Sequence, residues 1–209
     1  MIVSEKTGSN IPLLDEGVYQ AICTQLIDLG YQYNEKYKNT SHKIMLRWEI
    51  IGETIEIQGE TVPRMIHREY TSSLGDKSNL RKDLQAWRGR AFTPEELKGF
   101  DMKNILGKGC QLQIIHNQGT NGNTYANIAC IMALPKGMSL PQPKELIFLD
   151  LDNAATFGAF DKLPEFVRNE IKQSQDYELS GLKNFVENGG GTANQFGELE
   201  DGSESDLPF

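Results

Sequence analysis

The chain has 209 residues, with 21 basic and 29 acidic side chains and a formal net charge of −8. This length suits one elaborated domain plus a tail, and it allows a sizeable core. No stretch approaches the roughly 18–20 apolar residues that a membrane helix needs, and residues 1–10 lack the pattern of a signal peptide. We therefore expect no membrane span and a cytoplasmic location.

The negative charge is concentrated after residue 186. Six acidic residues follow with no lysine or arginine, so the rest of the chain holds 23 acidic against 21 basic residues. A nearly neutral body can still carry a basic groove, because binding depends on local charge rather than on the sum. The overall acidity therefore does not exclude a polyanionic ligand.

The first half of the chain predicts three strands. Residues 17–29 form a long strand rich in β-branched and aromatic side chains, and residues 30–41 form a polar loop. A second strand, residues 42–51, alternates strictly between two faces. One face carries Ile44, Leu46, Trp48 and Ile50, which we expect in the core. The other carries Lys43, Met45, Arg47 and Glu49.

A turn at residues 52–54 leads to a third strand region that ends near residue 70. Gly59 and Pro63 interrupt this region and suit a bulge or an edge strand. A helix capped by Asp76 or Ser78 then runs through Arg88. Its apolar stripe consists of Leu80, Leu84 and Trp87.

The segment that starts at Thr93 predicts a second, short helix, with Pro94 at the first position and Glu96 completing a capping box. Two strands follow, residues 109–116 and 124–132, joined by a polar hairpin loop. Residues 135–152 predict an irregular strap across the sheet. A further helix begins at Pro164 and extends to Gln175, with Val167 and Ile171 facing inward, and order is expected to end after residue 184.

The order strand, strand, strand, helix, strand, strand is that of an OB-fold, a five-stranded Greek-key barrel that binds nucleic acids across its second and third strands. We therefore predict a mainly β protein with added helices. Residues 1–177 would form the OB-fold domain with its C-terminal strap and helix, and residues 178–209 a flexible acidic tail.

The three cysteines, Cys23, Cys110 and Cys130, lack metal-ligand spacing and are expected to be buried thiols.

The last nine residues, 201–209, are acidic and end on an apolar tripeptide. Such an ending suits an apolar plug for a pocket on a partner, flanked by carboxylates that meet a basic rim. The alternative is a solubilising tail that ends in phenylalanine by chance. The residues expected to bind a partner are Glu204, Asp206, Leu207, Pro208 and Phe209.

This ending resembles the C-terminal tip of bacterial single-stranded DNA-binding proteins, which recruits replication and repair enzymes while a separate domain holds the DNA. Leu207 stands where isoleucine is usual, and Ser205 interrupts the acidic run. Residues 70–74, 77–82, 87–93 and 106–110, with the Gly17-Val18-Tyr19 start, resemble a family of bacteriophage single-stranded DNA-binding replication proteins. The resemblance covers residues 17–177. It implies an OB-type core, sequence-tolerant binding to single strands, and a role in phage replication in the cytoplasm of the infected bacterium.

Binding a single strand needs cations along a phosphate path and aromatic faces on which bases stack. The loop of residues 30–41 offers Tyr31, Tyr33, Lys36, Tyr37 and Lys38. We favour stacking for Tyr33 and Tyr37, which flank the basic positions; in the alternative, the tyrosines clamp the loop onto the barrel. Trp48 shares the apolar face of its strand, so we expect it in the core.

Strands and helix add further cations. Lys43 and Arg47 would lie on the outer binding surface if the opposite face fills the barrel. Arg64, His67 and Arg68 share the third strand, although they cannot share one face without a bulge, and a solvated edge is the alternative.

In the helix, Lys77, Arg81 and Arg88 lie beside the apolar stripe and would border a groove, unless their stems simply cover apolar edges. Arg90 would neutralise carbonyls at the helix end.

The leading interpretation is a protein that coats and protects exposed strands during replication, recombination and repair, and that recruits enzymes through its tail. A strand-annealing accessory protein and a non-DNA interaction module stay open as alternatives. A metal-dependent nuclease is less favoured, because Asp150, Asp152 and Asp161 are the only modest acidic grouping and no P-loop is present. We expect no catalytic residue, metal or other cofactor. The sequence leaves the oligomeric state open, a homo-oligomer included.

Overall fold

Five antiparallel strands form a curled sheet around an apolar core. The computed structural model describes residues 12–57 and 59–189. The strands are β1 (Gly17–Asn34), β2 (Asn39–Ile57), β3 (Glu60–Thr71), β4 (Gly109–Gln118) and β5 (Thr124–Met132), in the spatial order β3-β2-β1-β4-β5. A short sixth strand, β6 (Ile147–Leu149), pairs in parallel with β1.

Helices follow β3 and the sixth strand. They are α1 (Asn79–Arg88), α2 (Glu165–Lys172), α3 (Asp176–Leu179) and α4 (Leu182–Glu187). Short 3-10 helices cover Glu96–Lys98, Met102–Ile105 and Ala154–Lys162. Among the described residues, no helix is long and apolar enough to cross a bilayer.

The first core fills the concave side of the sheet. The predicted alternation of β2 is confirmed, since Trp48 is fully buried and the other three apolar residues of its face are buried with it. The predicted helix is confirmed as well: the Ser78 side chain accepts a hydrogen bond from the Arg81 backbone N–H, and Leu80, Leu84 and Trp87 are buried. Because α1 contacts both β3 and β5, it lies across the opening between the two outer strands.

A second core lies on the opposite face of β1 and β2. Ile27, Leu29 and Met45 pack there against β6 and the C-terminal helices. The predicted strap thus contains a real strand, because β4 pairs with β1 only as far as Ile22 and leaves the edge of β1 free from Gln25 onward. Val167 and Ile171 are fully buried as predicted. Leu182 of α4 is also fully buried, so the packed chain includes residues 178–187, which the sequence assigned to the tail.

Several local predictions were wrong. β1 continues to Asn34, so residues 30–34 are strand rather than loop. The residues predicted as a turn after β2 form an irregularity within it, where pairing with β3 shifts between Glu49 and Thr54 and Gly52 adopts a left-handed φ of 85°. The capping box of Thr93 and Glu96 forms as predicted, but it begins only a short 3-10 turn. Cys23 and Cys110 are buried thiols, whereas Cys130 is only half-buried.

Candidate nucleic-acid interface

The ends of β1 and β2 form a projecting hairpin, residues 31–42, which we call the hairpin arm. Tyr31 pairs with His42 across the strands, and their rings stack with centroids 5.1 Å apart. Tyr31, Tyr33 and Tyr37 are 47%, 56% and 68% exposed. The hydroxyl-bearing rings are therefore open to solvent, which disfavours the alternative that they clamp the hairpin onto the barrel.

Lysines accompany the aromatic rings at the tip of the hairpin arm. Lys36 and Lys38 are both exposed, and Lys36 Nζ lies 5.4 Å from the centroid of the Tyr37 ring. Neither lysine forms an ion pair within the described part of the chain. The tip thus presents unneutralised cations next to exposed aromatic faces, the combination that single-strand binding uses.

The base of the hairpin arm is fixed by the C-terminal helices. Gly30 has a left-handed φ of 71°, and a Cβ at this position would lie 2.8 Å from atoms of Ser174 and Asp176. The Tyr31 backbone N–H donates a 2.6 Å hydrogen bond to Asp176 Oδ2, and Gln32 Nε2 donates to the Glu170 carbonyl at 3.0 Å. Glycine therefore allows the helices to approach closely enough to hold the arm in place.

A groove of about 650 Å³ runs between the end of β3 and the start of α1, and we call it the basic groove. Three of the predicted DNA contacts line it: Lys43, Arg68 and Lys77. Glu69 and Asp76 line it too, so its charge is mixed. The Ser72 N–H donates to the His42 carbonyl at 2.9 Å, so the segment that follows β3 is joined to the base of the hairpin arm.

Two arginines at or beside this groove form ion pairs and hydrogen bonds within the protein. Arg68 Nη1 lies 3.1 Å from Asp83 Oδ2, and the Tyr70 hydroxyl donates to the same oxygen at 2.8 Å. Burial, followed by the charge of Asp83, raises the pKa of Tyr70, so its hydroxyl keeps its proton. Arg81 Nη1 donates to Asp76 Oδ1 and to the Leu74 carbonyl. These contacts shape the groove walls.

Arg88 does not border a groove as the sequence predicted. Its side chain is fully buried, forms an ion pair with Glu96, and lies over the rings of Phe92 and Phe100 at 4.4 and 5.1 Å. Arg90 contacts both oxygens of the same carboxylate, at 2.9 and 3.0 Å, instead of helix carbonyls. Hydrogen bonds from Arg90 and the Thr93 N–H lower the pKa of Glu96 to about 2. This cluster stabilises the fold.

Arg47 also departs from its predicted place, because α2 covers the outer face at this point. It is only 8% exposed, donates through Nη1 to Gln25 Oε1 at 2.6 Å, and lies over the Phe166 ring. His67 packs against the same ring with centroids 5.2 Å apart. Burial lowers the pKa of Arg47 to about 10, and burial followed by the Arg47 charge lowers that of His67.

Arg64 is separate from both groups. It lies toward the other end of β3, where its charge acts on Tyr19. The structure thus brings Lys43, Arg68 and Lys77 together beside the hairpin arm, with Arg81 at the groove wall. It does not bring Arg47, Arg64, His67 or Arg88 to that surface.

Two further aromatic residues are exposed that were not predicted as candidate contacts from the sequence. Tyr125 is 45% exposed at the start of β5, and its hydroxyl accepts a hydrogen bond from Asn121 Nδ2. Phe166 is 48% exposed and covers Arg47 and His67. Its exposure could have been predicted from its position next to Val167, because Phe166 lies off the buried stripe of α2 formed by Val167 and Ile171.

The five predicted partner-binding residues, Glu204, Asp206, Leu207, Pro208 and Phe209, lie outside the described residues. Within the described ranges, no three His, Cys, Asp or Glu side chains are grouped so that they could hold a metal ion.

Comparison with protein-family models and with curated proteins found no match for this sequence.

Proposed function

We propose that this chain binds single-stranded DNA along the hairpin arm and the basic groove. The observation that carries the proposal is the hairpin arm itself, where three exposed tyrosines stand beside Lys36 and Lys38. Bases of a single strand would stack on Tyr33 and Tyr37, because unpaired bases offer the ring faces that a duplex hides. The phosphates would then follow Lys43 and Lys77 through the groove.

The curled sheet is consistent with an OB-like fold, which supports this proposal. The strand order β3-β2-β1-β4-β5 and the helix between β3 and β4 agree with that architecture. No ladder joins β3 to β5 among residues 12–57 and 59–189, and α1 lies across that opening instead. The C-terminal helices cover part of the outer face, so we place the DNA path on the uncovered arm and groove.

In this proposal the protein coats and protects exposed strands during phage DNA replication or recombination, within the infected bacterium. The acidic segment that ends in Leu207-Pro208-Phe209 would recruit replication or repair enzymes of phage or host. Removal of residues 198–209 should leave DNA affinity equal or higher and abolish partner binding. A truncated protein that no longer binds DNA would contradict this division of labour.

Fluorescence anisotropy with labelled single strands and the matching duplex, at two salt concentrations, tests the DNA-binding proposal. We expect a strong preference for the single strand, with an affinity that falls steeply as salt rises, since binding releases counterions from phosphates. Equal affinity for the duplex, or an affinity independent of salt, would contradict it.

A further inference from the structure

A second cavity, of about 340 Å³, lies on the concave side of the sheet beside the hairpin arm. Phe148 and Met102 provide apolar walls, and Lys103 holds its ammonium group 4.7 Å from the centroid of the Phe148 ring. β6 creates this wall: Ile147 and Leu149 point into the second core, so Phe148 points to the opposite side. We call this cavity the Phe148 pocket.

Carboxylates form the polar part of the Phe148 pocket. Asp101 accepts a hydrogen bond from the Lys103 N–H through Oδ1, and Asp150 accepts one from the Asp152 N–H through Oδ1. Their Oδ2 atoms have no hydrogen-bond partner among the described residues. A third carboxylate, Asp28, is already used by His42, Gly30 and Leu151. Two carboxylate oxygens are therefore available to a ligand.

This lining excludes some ligands and favours others. Carboxylates repel phosphate, so the pocket does not continue the phosphate path. Its volume is at the lower end for ligand cavities, which suits one or two fused rings. A flat aromatic group that carries N–H donors fits the aromatic wall and the acceptors together. An acceptor on the same group would meet the Lys103 ammonium.

The pocket also lies next to the hairpin arm, the start of the proposed DNA path. Asp28 lines it and lies 2.7 Å from His42 Nε2, and the His42 ring stacks on Tyr31 of the hairpin arm. We infer that the Phe148 pocket takes one unstacked base of the bound strand and favours guanine. Guanine presents two adjacent donors, N1–H and the N2 amino group, to the two available carboxylate oxygens, and its O6 to Lys103. Thymine offers a single donor between two acceptors and fits poorly. This inference rests on the proposed function.

The test compares a labelled thymine oligonucleotide with the same oligonucleotide carrying one central guanine. We expect the wild-type protein to bind the guanine-containing strand at least about five-fold more tightly, the lower end of what a paired contact to a base edge contributes. In the double variant Asp101→Asn/Asp150→Asn the ratio should fall to about one. Each asparagine keeps the Oδ1 acceptor of the local turn and replaces the available oxygen with a donor.

A matched control is Asp152→Asn/Asp161→Asn, which removes the same charge from nearby residues that do not line the pocket. It should retain the guanine preference, and Lys103→Gln should reduce it. Tight binding of both strands by the wild type without any preference would overturn this inference and leave the proposed function standing. Absence of binding to either strand would overturn both. A preference that survives in the Asp101→Asn/Asp150→Asn variant would place guanine recognition elsewhere.

Discussion

The hairpin arm and the Arg88 cluster each place a cation beside an aromatic ring, but with opposite burial. In the arm, Lys36 lies beside the exposed ring of Tyr37. In the cluster, Arg88 lies over Phe92 and Phe100 but is fully buried and paired with Glu96. A cation next to an aromatic ring thus contributes to packing when a carboxylate neutralises it. It is available to a ligand when no carboxylate neutralises it.

The largest expected effect concerns the Arg88 cluster. Arg88→Ala should lower the free energy of unfolding by about 3 kcal/mol, the lower end for breaking a buried ion pair, because Glu96 keeps its contacts with Arg90. Chemical denaturation measures this loss. DNA affinity of the folded variant should be unchanged; a stable variant with weak DNA binding would reverse the assignment of this arginine.

The next effect concerns the aromatic faces of the arm. Tyr33→Ala and Tyr37→Ala should each weaken single-strand binding by about 1–3 kcal/mol, the range for loss of one stacked base. Both rings are more than half exposed, so stability should hardly change. Anisotropy titrations measure the loss. Tyr125→Leu, which alters an exposed ring in the β4–β5 hairpin, is the matched control, and an equal loss there would speak against the arm.

A smaller effect is expected in the basic groove. Lys77→Gln removes an exposed cation near the start of α1. For a phosphate contact on a single strand, the slope of log affinity against log salt should become shallower by about 0.7. Titrations at four salt concentrations determine that slope. Arg90→Gln, which alters a cation bound to Glu96, should leave the slope unchanged.

A further effect concerns pH. Partial burial, followed by the charge of Glu69, raises the pKa of Glu170 from 4.5 to about 7. The folded protein then binds more protons than the unfolded chain between these values, so this group's contribution to stability is present below about pH 4.5 and is lost as pH rises through 7. Glu170→Gln should flatten this part of the stability curve. A variant with the wild-type pH dependence would exclude Glu170 as its source.

Local pattern was sufficient for much of the fold. Strict alternation predicted the buried face of β2, and apolar spacing with a capping serine predicted α1. The extent of the arm was missed because its polar sequence resembles a loop, whereas pairing with β2 and contacts to α3 make it a strand. The contact between Tyr31 and Asp176 joins residues that are 145 positions apart, so no local sequence pattern could predict it.

The candidate site was predicted less completely. The tyrosines and lysines of the arm could be found because they cluster in sequence. The burial of Arg47 and Arg88 could not, since it depends on where α2 and Glu96 pack. Neither could the Phe148 pocket, which is assembled from β1, β2, the segment after residue 99 and β6.

Ultraviolet cross-linking of a bound thymine oligonucleotide, with cross-linked residues identified by mass spectrometry, shows directly whether the hairpin arm contacts the strand. We expect cross-links at Tyr33 and Tyr37, and we expect them to be lost when excess unlabelled single strand competes. Cross-links confined to Tyr125, or to Phe166 on α2, would contradict the proposal.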